Sequence, residues 1–337
     1  MRLRFSLMAV ALVASAVSAT AQEPARRFGD VVSRAVSRVY QGNNGPEQTE
    51  RFSRKIKIGR DGRFSVSNIA GDIVVTGGSG DEVSIDAVKR TRGSQAGLAS
   101  VTIEVDAGNG RVDVRTAHSA RTDRVRVDYT ITVPASTEVV ARSVSGNVRV
   151  TTVQGSVRAQ TVSGGVTTSG TPKLEIAKSI SGDVDISDIA TDRGLDVTTI
   201  SGAVRGRNVK ARSLDLKTVS GDVVLTDALC DRIDARSISG SIEYSGSLAK
   251  RGTYDLTAHS GNIRLTLAES TGFHVAAVTF SGTIRSDLPL TIGGDSDRAR
   301  GNGRRGINRR SIQATFGDGS ATLNVHSFSG DIVISKR

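Results

Sequence analysis

The chain has 337 residues, with 45 Lys and Arg against 34 Asp and Glu, 37 glycines, 5 prolines, one cysteine and no tryptophan. One thiol cannot pair within the chain, which excludes a disulfide scaffold, and a composition 37% hydrophobic and 23% charged supports a core, which excludes wholesale disorder. The length suits one large domain or two ordinary ones.

Residues 1–21 predict a secretory signal peptide: Arg2 and Arg4, an apolar stretch from Phe5 to Val17, and Ala19, Thr20 and Ala21 as a small-x-small cleavage site before Gln22. The apolar stretch falls short of the ~20 residues of a membrane span. Gln22 is not a cysteine, so the lipid of a bacterial lipoprotein has no acceptor. The remainder keeps 43 basic against 34 acidic residues and is expected to be exported, periplasmic or at the cell surface. Residues 22–50 predict a linker or a short capping helix, capped by Asp30, with Val31, Val32, Ala35, Val36, Val39 and Tyr40 on one face. Residues 51–135 predict an N-terminal β region and first coil. Alternating runs at Val83–Val88, Val101–Val105, Val112–Val114 and Val125–Val133 suggest an antiparallel excursion there.

From 136 to 337 one unit recurs, [Ser/Thr]-[Val/Ile]-Ser-Gly-[Asp/Asn]-[Val/Ile], with glycines at Gly146, Gly164, Gly182, Gly202, Gly221, Gly240, Gly261, Gly282 and Gly330. Their spacing is 18 to 21 residues until a final gap of 48, and Asn68–Ile73 is an earlier variant with Ala70 in place of the serine. Counted from the glycine, position +2 is always Val or Ile. Positions −7 and −5 are mostly apolar, as in Leu195/Val197 and Leu214/Leu216. Position −2 is Val144, Val162, Ile180, Ile200, Val219, Ile238, His259, Phe280 and Phe328. Apolar residues two apart mark strands, and the −2 column is assigned to the interior with them, His259 included. The change of parity places a corner at −3 to −1, where glycine permits φ > 0 or close backbone approach. The expected fold is all-β: a single-stranded parallel β-solenoid (β-helix) of ~20-residue coils, roughly 45 Å long at ~4.8 Å per coil. A leucine-rich repeat shares the period, but no Leu-x-x-Leu-x-Leu pattern recurs.

The outward columns carry charge. Position −6 holds Asp196, Asp215, Asp234 and Asp255, while −4 holds Lys178, Lys217 and Arg236 on the same strand face. Neutralisation within these columns is favoured over cation binding, as it is for Asp185 beside Arg205 and Glu243 beside Arg264. The final gap holds an Arg-rich loop, 293–310. Six arginines in its last 13 residues, Arg298, Arg300, Arg304, Arg305, Arg309 and Arg310, make either a solvated loop or an anion-binding one. The second reading suits an anionic envelope polysaccharide or a membrane surface. Export and the absence of Trp argue against nucleic acid.

No catalytic, metal or cofactor site is predicted. Gly301–Gly306 spells G-x-G-x-x-G but lacks a strand-to-helix setting. Gly77–Glu82 resembles a calcium nonapeptide but does not recur in tandem. His118, His259, His274 and His326 lack metal-ligand spacing, and no G-x-S-x-G elbow is present. Cys230 is read as a small buried hydrophobe. The expected function is a non-enzymatic cell-envelope binding or adhesion module. The alternatives are a solenoid polysaccharide-processing enzyme using Asp215 and Asp234, and a structural or sensory envelope protein acting through protein partners.

The repeated unit, the lead-in Tyr129–Pro134 and the closing Ser327–Ser335 resemble the bacterial DUF4097 family, also labelled a candidate adhesin family. The likeness covers roughly 52–337. It implies an exported β-solenoid and brings no catalytic residues.

Overall fold

The computed structural model describes residues 46–92, 95–119, 125–268, 271–292 and 310–337. The expected signal peptide, the capping helix after Asp30, and Arg298, Arg300, Arg304, Arg305 and Arg309 lie outside them. Arg310 opens the strand Arg310–Phe316.

Each repeat supplies two short strand segments flanking its glycine, and strict alternation fixes which side chains enter the core. In the Gly146 coil the inward residues are Val139, Ala141 and Ser143 before the corner and Val148 and Val150 after it; Val140, of the other phase, is buried as well. In the Gly221 coil they are Leu214, Leu216 and Thr218, then Val223 and Leu225. No coil can bury these residues alone. Stacking places each against its counterpart in the next coil, in register: Leu195, Leu214 and Ile233 follow one another, as do Val204, Val223 and Ile242. Each fully buried aliphatic side chain contributes about 1.5–3 kcal/mol.

The inward phase set at −7 and −5 continues to −3, and this corrects the expectation for the −2 column. The buried −3 side chains are hydroxyls at most corners, including Thr161, Ser179, Thr199, Thr218 and Ser237. Val144, Val162, Ile180, Ile200, Val219 and Ile238 face outward instead. His259, also assigned inward, is exposed. Alternation along a strand outweighs the apolarity of a single column, because a slip of one residue would turn Leu214 and Leu216 into solvent.

The strands form one mixed sheet. Repeat strands pair in parallel, while antiparallel pairs occur at both ends. Near the N-terminal end, Glu82–Thr91 runs antiparallel to both Gln48–Lys57 and Arg126–Pro134, and Val101–Gly108 runs antiparallel to Arg111–His118. At the other end Arg310–Phe316 runs antiparallel to Phe273–Ser281. The expected excursion is therefore present, and a second one, unforeseen, mirrors it. Covering the outermost parallel strands in this way blunts the open edges that a stack of coils leaves.

Stacking order also departs from chain order. Strand Arg63–Ala70 lies between Arg111–His118 and Glu138–Ser145, and strand Ala321–Ser329 lies between Thr253–Ser260 and Phe273–Ser281. The last repeat is thus inserted one layer in from the end, and the 48-residue spacing between Gly282 and Gly330 takes in the antiparallel strand Arg310–Phe316.

Candidate binding face

The recurring unit is a hydrogen-bonding device for the corner, and only one of its positions is left without a structural task. The −3 hydroxyl donates to the glycine carbonyl of the adjacent coil: Thr161 to Gly146 at 2.9 Å, Ser179 to Gly164 at 2.8 Å, Thr199 to Gly182 at 2.8 Å. The −1 serine works through its backbone. The Ser181 N–H donates to Val162 O at 2.8 Å, and Ser181 O accepts from the Gly164 N–H at 2.9 Å. The glycines stack so closely that a Cβ at Gly221 would lie 1.9 Å from the Gly202 carbonyl oxygen. The +1 Asp or Asn accepts from the next coil's backbone: Asp183 Oδ1 from the Ala203 N–H at 2.9 Å, Asp222 Oδ1 from the Ser241 N–H at 2.8 Å. The +2 residue fills the core.

Position −2 remains. Its apolar members, Ile69, Val144, Val162, Ile180, Ile200, Val219, Ile238, Phe328 and Phe280, are 41% to 54% exposed. With His259 between Ile238 and Phe328, they form one column up the stack at ~4.8 Å intervals. His259, Phe328 and Phe280 stack ring on ring, with centroids 4.9 Å apart at each step. Their faces cover one another, so they present edges rather than a flat platform for a sugar ring. An apolar stripe of this length is unusual on the surface of a soluble protein. Its sequence signal was an apolar residue out of phase with the buried column.

Beside the stripe runs the −4 column, two residues away on the same outward face. Between them lies a trough of about 720 Å³, reaching from Ile69 and Arg115 to Ile200. A smaller hollow of about 380 Å³ surrounds the aromatic stack. The basic residues of the −4 column differ along its length. Lys178 pairs with Asp196 at 2.5 Å, Lys217 with Asp215 at 2.8 Å and Arg236 with Asp234 at 2.8 Å. Asp215 holds Lys217 above the ordinary lysine range through that hydrogen bond. Arg115 and Arg142, at the Ile69 end, have no carboxylate within ion-pairing distance among the described residues; Arg142 donates to Gln160 Oε1 at 3.3 Å.

The other residues singled out in the sequence fall into structural places. Asp196, Asp215, Asp234 and Asp255 stack in register, and Asp255 accepts from Asn324 Nδ2 at 2.7 Å and lies 3.9 Å from Arg232. Arg205 reaches Asp185 at 3.5 Å and Arg264 reaches Glu243 at 2.7 Å. No cluster of three metal-ligating side chains occurs among the described residues. Cys230 is buried and unpaired, and burial pushes its thiol up to about 11.

These features define an all-β repeat protein with a continuous apolar column displayed on its surface. The family model described as Toastrack DUF4097 matches residues 126–335, and the chain belongs to that family. Three solved structures are similar to it. One is a candidate adhesin from Bacteroides fragilis, 15% identical, covering 86% of this chain and 97% of that one with a TM-score of 0.45. A candidate lipid-binding protein from Parabacteroides distasonis is 14% identical, covering 87% and 98%, TM-score 0.47. A candidate adhesin from the same species is 13% identical, covering 88% and 98%, TM-score 0.43. No curated protein matches the chain.

Proposed function

We propose that the chain is a non-enzymatic binding module of the bacterial cell envelope, exported through its residues 1–21, which uses the −2 column as its principal contact surface. The observation that carries this reading is the column itself. Nine large apolar side chains stand exposed at the one motif position that neither the core nor the corner requires. Their cost in water is recovered when a partner covers them. The ion pairs of Asp215 and Asp234 with cations on their own strands support a structural role for those carboxylates rather than a catalytic one. The arginines of 293–310 supply a second, electrostatic contact with an anionic envelope polysaccharide or a membrane surface.

The test is co-sedimentation of the full chain with envelope fractions across a salt series, beside a Val162→Ser/Ile180→Ser variant and a variant lacking 295–310. Apolar contact survives added salt, whereas a charged contact is screened. Binding that persists at high salt and is lost in the serine variant supports the column as the main surface. Binding unchanged in the serine variant and abolished by salt overturns it in favour of the arginines.

A further inference from the structure

We infer that the trough between Ile69 and Ile200 takes the hydrocarbon chain of a single anionic lipid, with its charged end held by Arg115 and Arg142. The inference rests on the reading of the −2 column as a contact surface and names its occupant.

Width, wall chemistry and charge each narrow the choice. The −2 and −4 columns stand two residues apart along each strand, about 7 Å, a lane one hydrocarbon chain wide. From Ile69 to Ile200 the column climbs four coil spacings, about 19 Å, enough to align a long acyl chain. The wall offers Ile69, Val144, Val162, Ile180 and Ile200 in unbroken succession. Backbone polar groups along this wall are consumed between coils, as in the Ser181 N–H to Val162 O bond and the Ser201 N–H to Ile180 O bond at 2.9 Å. A peptide strand laid in the lane would find no ladder to join, and its own amides would lose water without replacement. An acyl chain has no such requirement.

A second copy of the chain is disfavoured by charge. A second trough offers Arg115 and Arg142 no counter-charge, because its own −4 cations are the same two arginines or are already paired with carboxylates, as Lys178 is with Asp196. An anionic amphiphile meets the opposite condition. The uneven ion pairing gives it a direction: Lys178 already holds Asp196 in mid-trough, while Arg115 and Arg142, two coils apart on the Ile69 end, form no ion pair within 4 Å among the described residues, although Glu104 stands opposite Arg115 across its antiparallel pair. The anionic group belongs at that end, with the chain running toward Ile200.

The experiment titrates cis-parinaric acid, a fluorescent long-chain fatty acid kept below its micellar concentration, into the full chain, into Val162→Ser/Ile180→Ser and into Arg115→Gln/Arg142→Gln. Displacement by oleyl alcohol reports the uncharged counterpart. All substituted side chains are outward-facing, and an unchanged Tm for each variant verifies the fold. The expected result is one site per chain, weakened at least about tenfold in the serine variant. In the glutamine variant the acid should weaken several-fold while the alcohol does not. Equal affinity in the serine variant, equal loss of acid and alcohol in the glutamine variant, or binding only to phosphatidylglycerol vesicles would each overturn the inference. Failure to bind the acid alongside retained, column-dependent envelope binding removes this occupant and leaves the proposed function standing.

Discussion

The hydroxyl of Thr199 donates a 2.8 Å hydrogen bond to the carbonyl oxygen of Gly182, one coil away, and Ser179 and Thr161 repeat the contact with Gly164 and Gly146. The side chain is buried, so Thr199→Val keeps the shape and deletes the donor to an enclosed carbonyl. An unsatisfied group of this kind costs about 1–3 kcal/mol. Urea unfolding should show that loss for Thr199→Val and recovery of most of it for Thr199→Ser. Equal stability of all three proteins would show that the hydroxyl is not needed to satisfy Gly182.

The glycine beneath each corner is required by proximity. At Gly221 φ is 156° and an added Cβ would sit 1.9 Å from Gly202 O and 2.5 Å from its carbonyl carbon. Those atoms are backbone held on both sides by neighbouring coils, so they cannot yield as a side-chain tip would. Gly221→Ala should lose at least about 3 kcal/mol, at the upper end of overpacking costs. A thermal melt within a degree of the parent would mean that the corner can open.

Val219 and Leu216 separate the two roles of apolar residues in this repeat. Val219 is 42% exposed and Leu216 is fully enclosed. Val219→Asp should therefore change stability by only about 0.5 kcal/mol, as surface substitutions do. Leu216→Ala should cost about 2–5 kcal/mol through lost burial and a residual cavity. Chemical denaturation of the two variants side by side checks the contrast. A severe loss for Val219→Asp would restore the inward assignment.

That contrast also marks how far the sequence could be read. The period, the parallel stacking of the repeats, and the inward places of Leu214, Leu216 and Val223 were legible, because alternation and a fixed glycine spacing determine them. The −2 column was misplaced because it is apolar and shares the parity of the +2 column, which left the −3 residue, here Thr218, outside the core. Its buried hydroxyl becomes intelligible only once the Gly202 carbonyl of the adjacent coil stands 3.1 Å away, a contact between residues 16 apart in sequence. The pairing of Lys217 with Asp215 was legible, both being on one strand face. The insertion of the Gly330 coil between those of Gly261 and Gly282 was not, since the repeat unit is the same at every corner and carries no address for its neighbour. The Ile69 end of the trough, where Ser67 lies between Arg115 of the excursion and Arg142 of the repeat, was hidden because the excursion carries no repeat unit to place it in the stack.

Cys230 sits within a buried cluster in which the Tyr254 hydroxyl donates to its carbonyl oxygen at 2.8 Å. Burial raises the thiol to about 11, so at pH 8 the reactive thiolate is scarce as well as shielded. A thiol-disulfide reagent such as Ellman's should leave the native protein unmodified at pH 8 and label one thiol per chain in denaturant. Prompt labelling of the native protein would place Cys230 at an accessible surface.

Asp183 accepts from Arg205 Nη1 at 2.7 Å and from the Ala203 N–H at 2.9 Å, and these bonds, the guanidinium's foremost, hold its carboxyl below the ordinary range. The unfolded chain, with an ordinary carboxyl near about 3.9, then binds the proton more readily than the folded one. The stabilisation is complete above that unfolded value and is lost as pH falls through it toward the lower folded value. Both side chains are about half exposed, at 52% and 45%, so solvent limits the contribution to at most about 1 kcal/mol. Asp183→Asn keeps an acceptor for Ala203 but removes the charge. The stability gap between parent and variant should stay level from pH 7 down to about 5 and narrow below about 4. A gap that stays constant to pH 3 would show that the Arg205 pair does not favour the charged form of Asp183 in the folded protein.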